Sequence, residues 1–369
     1  MKRPNIKDIA RTLGISIGTV DRALHGRPEV SEKTRALVLK TAAELGYQPN
    51  LAARSLKLNR RLRIGVYFPR EIASFFEPLR DGVRAAAAAS AGVSVDLVFR
   101  TFPRLDVGDL ELLANDTGEA FDGVLIAPGD PEHLKPAIDT LACKGVAVVC
   151  VASDAPQSAR LASVTADARV SGAIAAELFS RTLREPAHVA AFAGDLTTLD
   201  HAEKMKGFAE NLAVFAPQLT LLPIIESHEQ PEVAYEQALE LFSPTPCPAG
   251  VYIGTANSLP VLRALEEKEM LGQVQIIATD LFPELRPFIA SGRILATLYQ
   301  RPFAQGKTAL ELLLRYLVQG RSPDAITRLA PHIVMRSNLS LFTGLTSRTD
   351  GPVLFEDENE NSKKVGGPA

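Results

Sequence analysis

The sequence predicts an all-α head followed by an α/β body of two lobes built on parallel sheets. Three observations support this fold class. Helical spacing of apolar residues dominates the first 48 residues, whereas from Leu62 onward continuous apolar runs alternate with helical stretches. These runs fall into two successive series, which indicates two similar lobes. Charge divides the chain at nearly the same place, because residues 1–63 carry a net charge of +9 and the remainder carries −12.

The composition of the 369 residues is that of a globular protein, with 46% hydrophobic and 22% charged residues. The sequence contains no run of 18 apolar residues, the pattern that would predict a membrane helix. Its basic start lacks the apolar core of a secretory signal. We therefore expect a cytoplasmic protein. Cys143, Cys150 and Cys247 stand apart and the six histidines show no ligand spacing, so we expect no disulfide, no metal and no other cofactor.

Three short helices are predicted in the head, and capping residues mark their ends. The first helix ends at Gly14, Ser16 caps the second, and Ser31 caps a third that ends at Gly46. Three helices with a tight first turn, on a basic segment, match the helix-turn-helix plan. The second helix turns its apolar positions inward and leaves these residues on its outer face: Ile17, Gly18, Asp21, Arg22 and His25.

A short basic segment follows the three helices. Residues 51–58, LAARSLKL, have helical spacing but are too few to form a stable helix alone in water. Such a segment between domains indicates either a helix that forms on a partner or a flexible linker. We therefore divide the chain into a head (1–48), a hinge helix and linker (49–61), a two-lobed body (62–343) and a disordered tail (344–369).

The head contains the run IKDIARTLGISIGTVDRALHGRPEVSEKTRALVLKTAAELGYQPNLAARSL, which includes VSEKTR, LGYQPN and AARSL. This run resembles the DNA-binding head of the lactose-repressor (LacI/GalR) family of transcription regulators. The resemblance implies that Ile17, Gly18 and Arg22 reach base edges in the major groove. It also implies that Leu56 inserts into the minor groove and kinks the duplex. The DNA contacts implied in full are Ser16, Ile17, Gly18, Thr19, Asp21, Arg22, His25, Ser31, Asn50, Ala53 and Leu56.

Asp21 departs from the family pattern, in which a small hydroxyl residue is usual at this position. An exposed carboxylate near phosphates weakens binding unless it is paired. Two interpretations stay open for Asp21: an ion pair with Arg22 or Lys57, or a hydrogen bond from a cytosine amino group. Ile17 and Gly18 offer no side-chain hydrogen bond, so they can read only a thymine methyl group or allow close approach.

Polar and aromatic side chains follow several predicted strands of the body. Asp154 follows VAVVCVA, Asp280 ends VQIIATD, and Gln300 ends ILATLYQ. Phe75 and Phe76 come after LRIGVYF. Because ligands of open parallel sheets bind beyond the carboxyl ends of the strands, this set suits a polyhydroxylated ligand. The alternatives are turn or cap roles for the aspartates and ordinary core positions for the two phenylalanines.

The segment IIATDLFPELRPFIASGRILATLYQRPFAQGKTALELLLRYLVQG is similar to periplasmic-sugar-binding-protein-like effector domains, closest to the ribose and inositol type. Two positions depart from that pattern. GTANS stands where ND is usual after the seventh strand, and Lys204 stands where an arginine is usual, without its bidentate fork. The effector site implied by the resemblance is formed by Phe75, Phe76, Asp154, Lys204, Asn257, Asp280 and Gln300.

Motifs of catalysis are weak in this sequence. GKT at 306–308 is half of a P-loop and lies within a predicted helix. We therefore predict a ligand-responsive, sequence-specific DNA-binding transcription regulator of the repressor type and not an enzyme. Its expected partners are a near-palindromic double-stranded operator, a sugar or polyol effector, and a second copy in a homodimer, with a tetramer as the larger assembly. The alternative is a regulator of the same fold with a non-sugar effector or with no effector response.

Overall fold

The computed structural model describes residues 6–24, 30–44, 61–90, 92–105, 107–243 and 247–342. The head contains three helices, α1 (Ile6–Leu13), α2 (Ile17–Leu24) and α3 (Glu32–Glu44). They pack around a small core in which Ile9, Val20 and Val38 are fully buried. The predicted helix-turn-helix is therefore confirmed in the described part of the head.

Local chemistry explains where the helices of the head begin and end. Gly14 has a φ of +65°, a left-handed conformation that glycine adopts at little cost and that ends α1. The Ser16 hydroxyl accepts a hydrogen bond from the Thr19 amide at 3.0 Å, and the Ser31 hydroxyl accepts one from Thr34 at 3.2 Å. These two contacts are N-terminal caps of α2 and α3, as the sequence predicts.

The body is an alternation of strands and helices. Strands form at LRIGVYF, VAVVCVA, VQIIATD and ILATLYQ, as the sequence predicts. In chain order the elements are β1 (Arg61–Pro69), α4 (Ala73–Ala89), β2 (Ser94–Phe102), α5 (Asp109–Asn115), β3 (Gly123–Ile126), α6 (Pro131–Cys143), β4 (Ala147–Val151), β5 (Ala162–Ala166), α7 (Ala168–Thr182), β6 (Ala187–Ala193), α8 (Leu199–Phe215), β7 (Leu219–Leu221), β8 (Ile225–Glu226), α9 (Pro231–Leu241), β9 (Gly250–Ile253), α10 (Leu259–Glu267), β10 (Gln275–Thr279), α11 (Arg286–Ala290), β11 (Ala296–Tyr299), α12 (Pro302–Gln319), β12 (Ile326–Leu329) and β13 (His332–Val334).

Two sheets form the cores of two lobes. The first sheet has the strand order β12-β5-β4-β3-β1-β2, and all of its pairs are parallel. The second sheet has the order β13-β11-β10-β9-β6-β7, with β8 also paired to β6. Its pairs are parallel except for β11 with β13. Buried Val, Ile and Ala side chains fill the strands, as is typical of parallel sheets covered on both faces.

The chain passes between the lobes three times. It enters the second lobe after β5, returns after β11, and enters the second lobe again after β12. The sequence predicted two successive series, and α12 and β12 depart from that order, because they follow the second series but belong to the first lobe. Leu310 and Leu313 of α12 pack in the same core as Ile64 of β1.

Each lobe contains one close helix crossing made by glycines. In the first lobe α4 crosses α12 at Gly82 and Gly306, and a Cβ atom on Gly82 would lie 2.0 Å from the Phe303 carbonyl oxygen. In the second lobe α7 crosses α8 at Gly172 and Gly207, where a Cβ on Gly172 would lie 2.1 Å from the carbonyl oxygen of Lys204. The two lobes therefore repeat one packing device, which supports their structural similarity.

Among the helices of the described ranges, none combines the length and the apolar character that crossing a membrane requires.

Candidate functional site

Strained backbone marks the carboxyl ends of the strands. Of the seven non-glycine residues with positive φ in the described part of the chain, six lie in loops that follow strands. Such conformations are costly for residues with a Cβ atom and concentrate at binding sites. The six residues come from both lobes and point to one shared cleft between them: Ile72, Ala152, His228, Glu229, Asp280 and Arg301.

Three predicted effector-site residues meet in the second lobe. Asp280 accepts a hydrogen bond from the Gln300 amide nitrogen at 3.0 Å and another from the Gln300 side-chain amide at 2.7 Å. Lys204 lies close enough for its charge to act on Asp280, and its ammonium group donates to Asp200 at 2.5 Å. All three predicted residues are at least 95% buried. They form a dense polar cluster below the ends of β10 and β11.

Burial raises the pKa of Asp280 to about 6 from its ordinary value of 3.8. The two hydrogen bonds from Gln300 and the charge of Lys204 act in the opposite direction, since they stabilise the carboxylate. Nearby Asp200 raises the pKa further. Loss of water contact outweighs the favourable partners, so this carboxyl group is poised to change charge near neutral pH.

Asp154 of the first lobe is held by its own lobe. The Arg160 guanidinium donates to both carboxylate oxygens, with 2.7 Å between Nη2 and Oδ2. The Ser163 hydroxyl donates to Oδ2 at 2.9 Å, and the Ala155 amide donates to Oδ1 at 2.7 Å. Both oxygens are therefore occupied, and a ligand at Asp154 would have to share or displace these donors.

Phe75 and Phe76 lie in the first turn of α4, not in a loop after β1. Their rings pack edge to face at 5.0 Å between centroids, and Phe76 also lies 6.4 Å from the ring of Phe68. Both are buried and belong to the core of the first lobe. Their positions follow the end of β1, but in this arrangement their contacts are those of core residues.

Asn257 belongs to a second polar group, on the ends of β8 and β9. The backbone amide of Asn257 donates to the Thr255 hydroxyl at 3.1 Å, and that hydroxyl donates to both oxygens of Glu229, at 2.8 and 2.7 Å. His201 Nε2 lies 3.3 Å from Glu229 Oε1. The close approach requires Gly194, because a Cβ there would lie 2.0 Å from Glu229 Oε1.

Neither Glu229 nor His201 belongs to a pattern that the sequence shows. Glu229 follows β8, a strand of two residues that is too short to show an apolar run. His201 lies in the first turn of α8, one position after Asp200. Glu229 lies two residues before Pro231, the first residue of α9. Because a proline at a helix start marks the polar loop before it, this position is the sequence feature that could have identified Glu229.

Two cavities lie between the lobes. The first, of about 480 Å³, brings Ser153 and Asp154 of the first lobe to Asp200 of the second. The second, of about 580 Å³, brings Ile72 of the first lobe to Asn257 and Glu229 of the second. Lys204, Asp280 and Gln300, by contrast, line neither of these cavities.

One group of side chains in the described ranges has the composition of a metal site. Ligand atoms of Asp195, Glu226 and His228 lie within 4.8 Å of one another. His228 Nδ1 is 2.9 Å from Asp195 Oδ2, and Glu226 Oε2 accepts a hydrogen bond from the Leu196 amide at 2.8 Å. The group is thus already joined by hydrogen bonds within the protein.

The head places its described candidate residues on and around α2. Ile17 is 48% exposed on the outer face, and Gly18 and Arg22 lie beside each other, because a Cβ on Gly18 would be 3.7 Å from Arg22 Nη1. The Ser16 and Thr19 hydroxyls bond to each other at 2.8 Å. Asp21 lies within α2, but its side chain is outside the description, as are the whole of His25, Asn50, Ala53 and Leu56.

Comparison with known families agrees with both parts of the chain. Residues 64–322, more than half of the chain, match the family described as periplasmic binding protein domain. Residues 5–50 match the family described as bacterial regulatory proteins, lacI family. The chain belongs to the LacI/GalR family of regulators. Its DNA-binding head and its two-lobed body are the two parts that define such proteins.

Relatives of this LacI-family chain cover nearly its whole length. Catabolite control protein A of Priestia megaterium is 26% identical over 344 residues, covering 90% of this chain and 98% of that protein. The transcriptional repressor PurR of Photobacterium profundum is 24% identical over 340 residues, with the same coverage. The fold of the body is shared with GanP, a glucose-galactose binding protein from Geobacillus stearothermophilus, at a TM-score of 0.70 and 23% identity over 76% of this chain and all of that one.

Proposed function

We propose that this LacI-family chain is a ligand-responsive, sequence-specific transcription regulator of the repressor type. The observation that carries the proposal is a helix-turn-helix head that matches the lacI family, joined to a two-lobed body with polar-lined cavities between its lobes. A ligand that contacts both lobes stabilises one relative orientation of them. It therefore shifts the population of the state that binds DNA.

A sugar or sugar-like molecule is the effector that the cleft supports best. Carboxylates and amides, such as those of Asp154, Asp200 and Asn257 on the walls of the two cavities, recognise hydroxyl groups through several hydrogen bonds each. A cleft of this size suits a small ligand, since the two cavities measure about 480 and 580 Å³. The glucose-galactose binding protein that shares the fold supports the same class of ligand.

The DNA partner we propose is a near-palindromic operator bound by a homodimer. One chain presents one recognition helix, α2, which covers only about half of a typical operator. Two chains related by a twofold axis would read two inverted half-sites. A tetramer that joins two such dimers is the larger assembly consistent with this arrangement.

One observation favours the alternative of a non-sugar effector or no effector response. Both oxygens of Asp154 and both of Asp280 already accept hydrogen bonds within their own lobes. Lys204 is likewise held by Asp200. A cleft whose principal charges are satisfied internally has less to gain from hydroxyl groups.

A thermal-shift screen of the full-length protein against sugars, sugar acids, polyols and purines separates these functions. A rise in melting temperature with sugars or polyols alone supports the sugar effector, because a ligand that binds the folded state stabilises it. Stabilisation by purines alone would replace it with a non-sugar effector. No stabilisation by any compound would favour the form without effector response.

Selection from random DNA duplexes tests the DNA-binding part. We expect an inverted repeat, and we expect Arg22→Ala to relax base preference at one position of each half-site, by about 1–3 kcal/mol. Arg11→Ala is the matched control, since Arg11 is a basic residue of α1 with a side chain 80% exposed and should leave base preference unchanged. Recovery of sequences without an inverted repeat would contradict the proposal.

A further inference from the structure

Two nitrogen atoms beside the connections between the lobes are buried without a hydrogen-bond partner in the described part of the chain. They are Arg301 Nε and His332 Nδ1. Arg301 lies in the connection after β11, and His332 opens β13, directly after the connection that follows β12. Neither residue lines either of the two cavities. Buried polar atoms are nearly always bonded, so these two indicate a partner outside the described residues.

The partner that these two groups lack is an acceptor with negative charge. Tyr299 pairs with His332 across β11 and β13, which places Arg301 two residues beyond that pair. Burial lowers the pKa of His332, and the nearby charge of Arg301 lowers it as well. Within the described ranges no carboxylate pairs with the Arg301 guanidinium. A carboxylate placed here would satisfy both nitrogens and relieve the effect of one cationic group on the other.

The chain itself carries an acidic run outside the described residues. Residues 356–360, EDENE, contain four carboxylates and directly follow the apolar run VLF at 353–355. The described part of the body ends at Phe342, whose ring lies 5.9 Å from that of His332. Thirteen residues, 343–355, separate Phe342 from the acidic run, and an unstructured chain of that length spans about 20 Å. A tether this short gives a local concentration of millimolar order, so weak ion pairs suffice to hold the run.

The edge of the second lobe near these nitrogens also exposes apolar side chains. Ile333, next to His332, is 38% exposed, and Leu341, next to Phe342, is 53% exposed. Arg336 is exposed on the same segment and has no ion pair in the described ranges. This surface therefore combines apolar side chains with positive charge, which complements the apolar and acidic parts of the run.

We propose that residues 353–360 dock on this edge of the second lobe. The carboxylates accept hydrogen bonds from Arg301 and His332, and the apolar part of the run covers Ile333 and Leu341. The contact ties the connection after β11 to the one after β12, and it restrains the movement of one lobe against the other. The inference goes beyond the proposed function, because the occupant is a segment of this chain, whatever operator or effector the protein binds.

Hydrogen exchange of the full chain, followed by mass spectrometry, tests the docking. The amides of residues 299–305 and 332–336 report on the site. Neutralising the acidic run should speed their exchange about 2- to 5-fold, the effect expected of exposed ion pairs. Arg301→Gln should do the same, and combining it with the neutralised run should add little, because either change removes the same contact. The neutralised run carries Glu356→Gln, Asp357→Asn, Glu358→Gln and Glu360→Gln.

Two matched controls separate the docking from a general effect of charge. Arg321→Gln removes the same charge just after the far end of α12, a helix of 18 residues and therefore about 27 Å long. Lys363→Gln combined with Lys364→Gln changes the charge just beyond the acidic run and leaves its carboxylates in place. Both controls should exchange as the wild type does. If Arg301→Gln is unfolded, His332→Phe replaces it, since that change keeps an aromatic ring against Phe342.

Cross-linking identifies the occupant of the site. Arg301→Lys keeps the charge and supplies an amine, which a carbodiimide joins to a carboxylate as an amide with loss of water. We expect this amide between position 301 and one of residues 356–360 of the same chain. An amide found only between isotopically distinct chains would overturn the proposal in favour of a run from a second copy.

The exchange experiment has two outcomes that would overturn the docking. Equal exchange in the wild type and the neutralised variant would show that the acidic run does not contact this edge. If inorganic phosphate slowed exchange equally in both of them, the two nitrogens would form a site for a free anion instead. Either result would leave the proposed regulator function standing, since that function does not depend on residues 353–360.

Discussion

At the residue scale, burial affects the pKa of a carboxyl group at this site more than its charged and hydrogen-bonding partners do. Asp280 shows the balance, because two hydrogen bonds and a nearby lysine do not offset the loss of water around its carboxylate. The group retains a pKa near 6 in the folded protein. Its ionised form therefore costs stability at neutral pH, a cost that binding sites carry more often than cores do.

The stability of the protein should depend on pH through Asp280. The folded pKa lies above the unfolded value of 3.8, so protonation favours the folded state. This contribution is complete below pH about 4 and is lost as the pH rises through about 6. Urea unfolding of wild type and Asp280→Asn from pH 4 to pH 8 should show the wild type gaining on the order of 3 kcal/mol over the variant toward acid.

Asp139→Asn provides a control that should not respond to pH in this range. A hydrogen bond from Lys135 holds the pKa of Asp139 below its usual value of 3.8, so its contribution to stability is lost only at more acid pH. The stability difference between the wild type and this variant should therefore stay nearly constant from pH 4 to pH 8. A flat difference between wild type and Asp280→Asn across the range would contradict the argument for Asp280.

The sequence predicted which residues end the strands but not what holds them. Asp280 and Gln300 end successive strands, β10 and β11, so their proximity follows from parallel pairing. The contacts of Asp154 could not be predicted in the same way. Its donor Ser163 lies in β5, ASVTA, a short strand with two hydroxyl residues that shows no continuous apolar run.

At the scale of elements, helix caps follow directly from residue type, whereas helix crossings do not. The caps at Ser16 and Ser31 were predicted correctly because a hydroxyl beside a helix start has a local effect. The edge strand β12, ITRL, was missed because two adjacent polar residues, Thr327 and Arg328, interrupt its apolar pattern and only one side of it is paired. The glycine crossings depend on long-range packing, which local patterns do not encode.

The crossing of α4 with α12 should not tolerate a larger residue. Gly82→Ala would place a Cβ atom 2.0 Å from a backbone oxygen, which only separation of the helices relieves. We expect a loss of about 1–3 kcal/mol in the free energy of unfolding, measured with urea. Gly118→Ala is the control, since its Cβ would meet nothing within 4 Å. Equal stability of the two variants would show that the crossing is loose.

The segment between head and body should contribute to the affinity for the specific operator but not to the affinity for random DNA. Leu56 lies outside the described residues, and its proposed role is to wedge into the minor groove. Leu56→Ala should weaken binding to the selected operator but leave binding to random duplexes nearly unchanged, because phosphate contacts set the latter. Fluorescence anisotropy on both duplexes measures this, and equal losses would exclude a wedge.

At the scale of the whole molecule, three chain passages connect the two lobes. Each lobe has its own core and its own glycine crossing, and the connecting segments follow β5, β11 and β12. The first of these, Thr165 to Ala168, lines the same cavity as Ser153 and Asp200. A ligand in that cavity therefore contacts both lobes and the segment that joins them.

The coupling between effector and operator should be reciprocal. If a bound polyol changes the operator affinity of the full-length protein by some factor, saturating operator must change the polyol affinity by the same factor, since both reflect one equilibrium between two states. A coupling of about 1–3 kcal/mol, or roughly 5- to 150-fold, is typical.

Two pairs of titrations measure both factors. The polyol is titrated by calorimetry with and without operator, and the operator is titrated by fluorescence anisotropy with and without polyol. Unequal factors would break the thermodynamic cycle and would show that one titration had not reached equilibrium. Equal operator affinity with and without the polyol would mean that the cleft does not control the head.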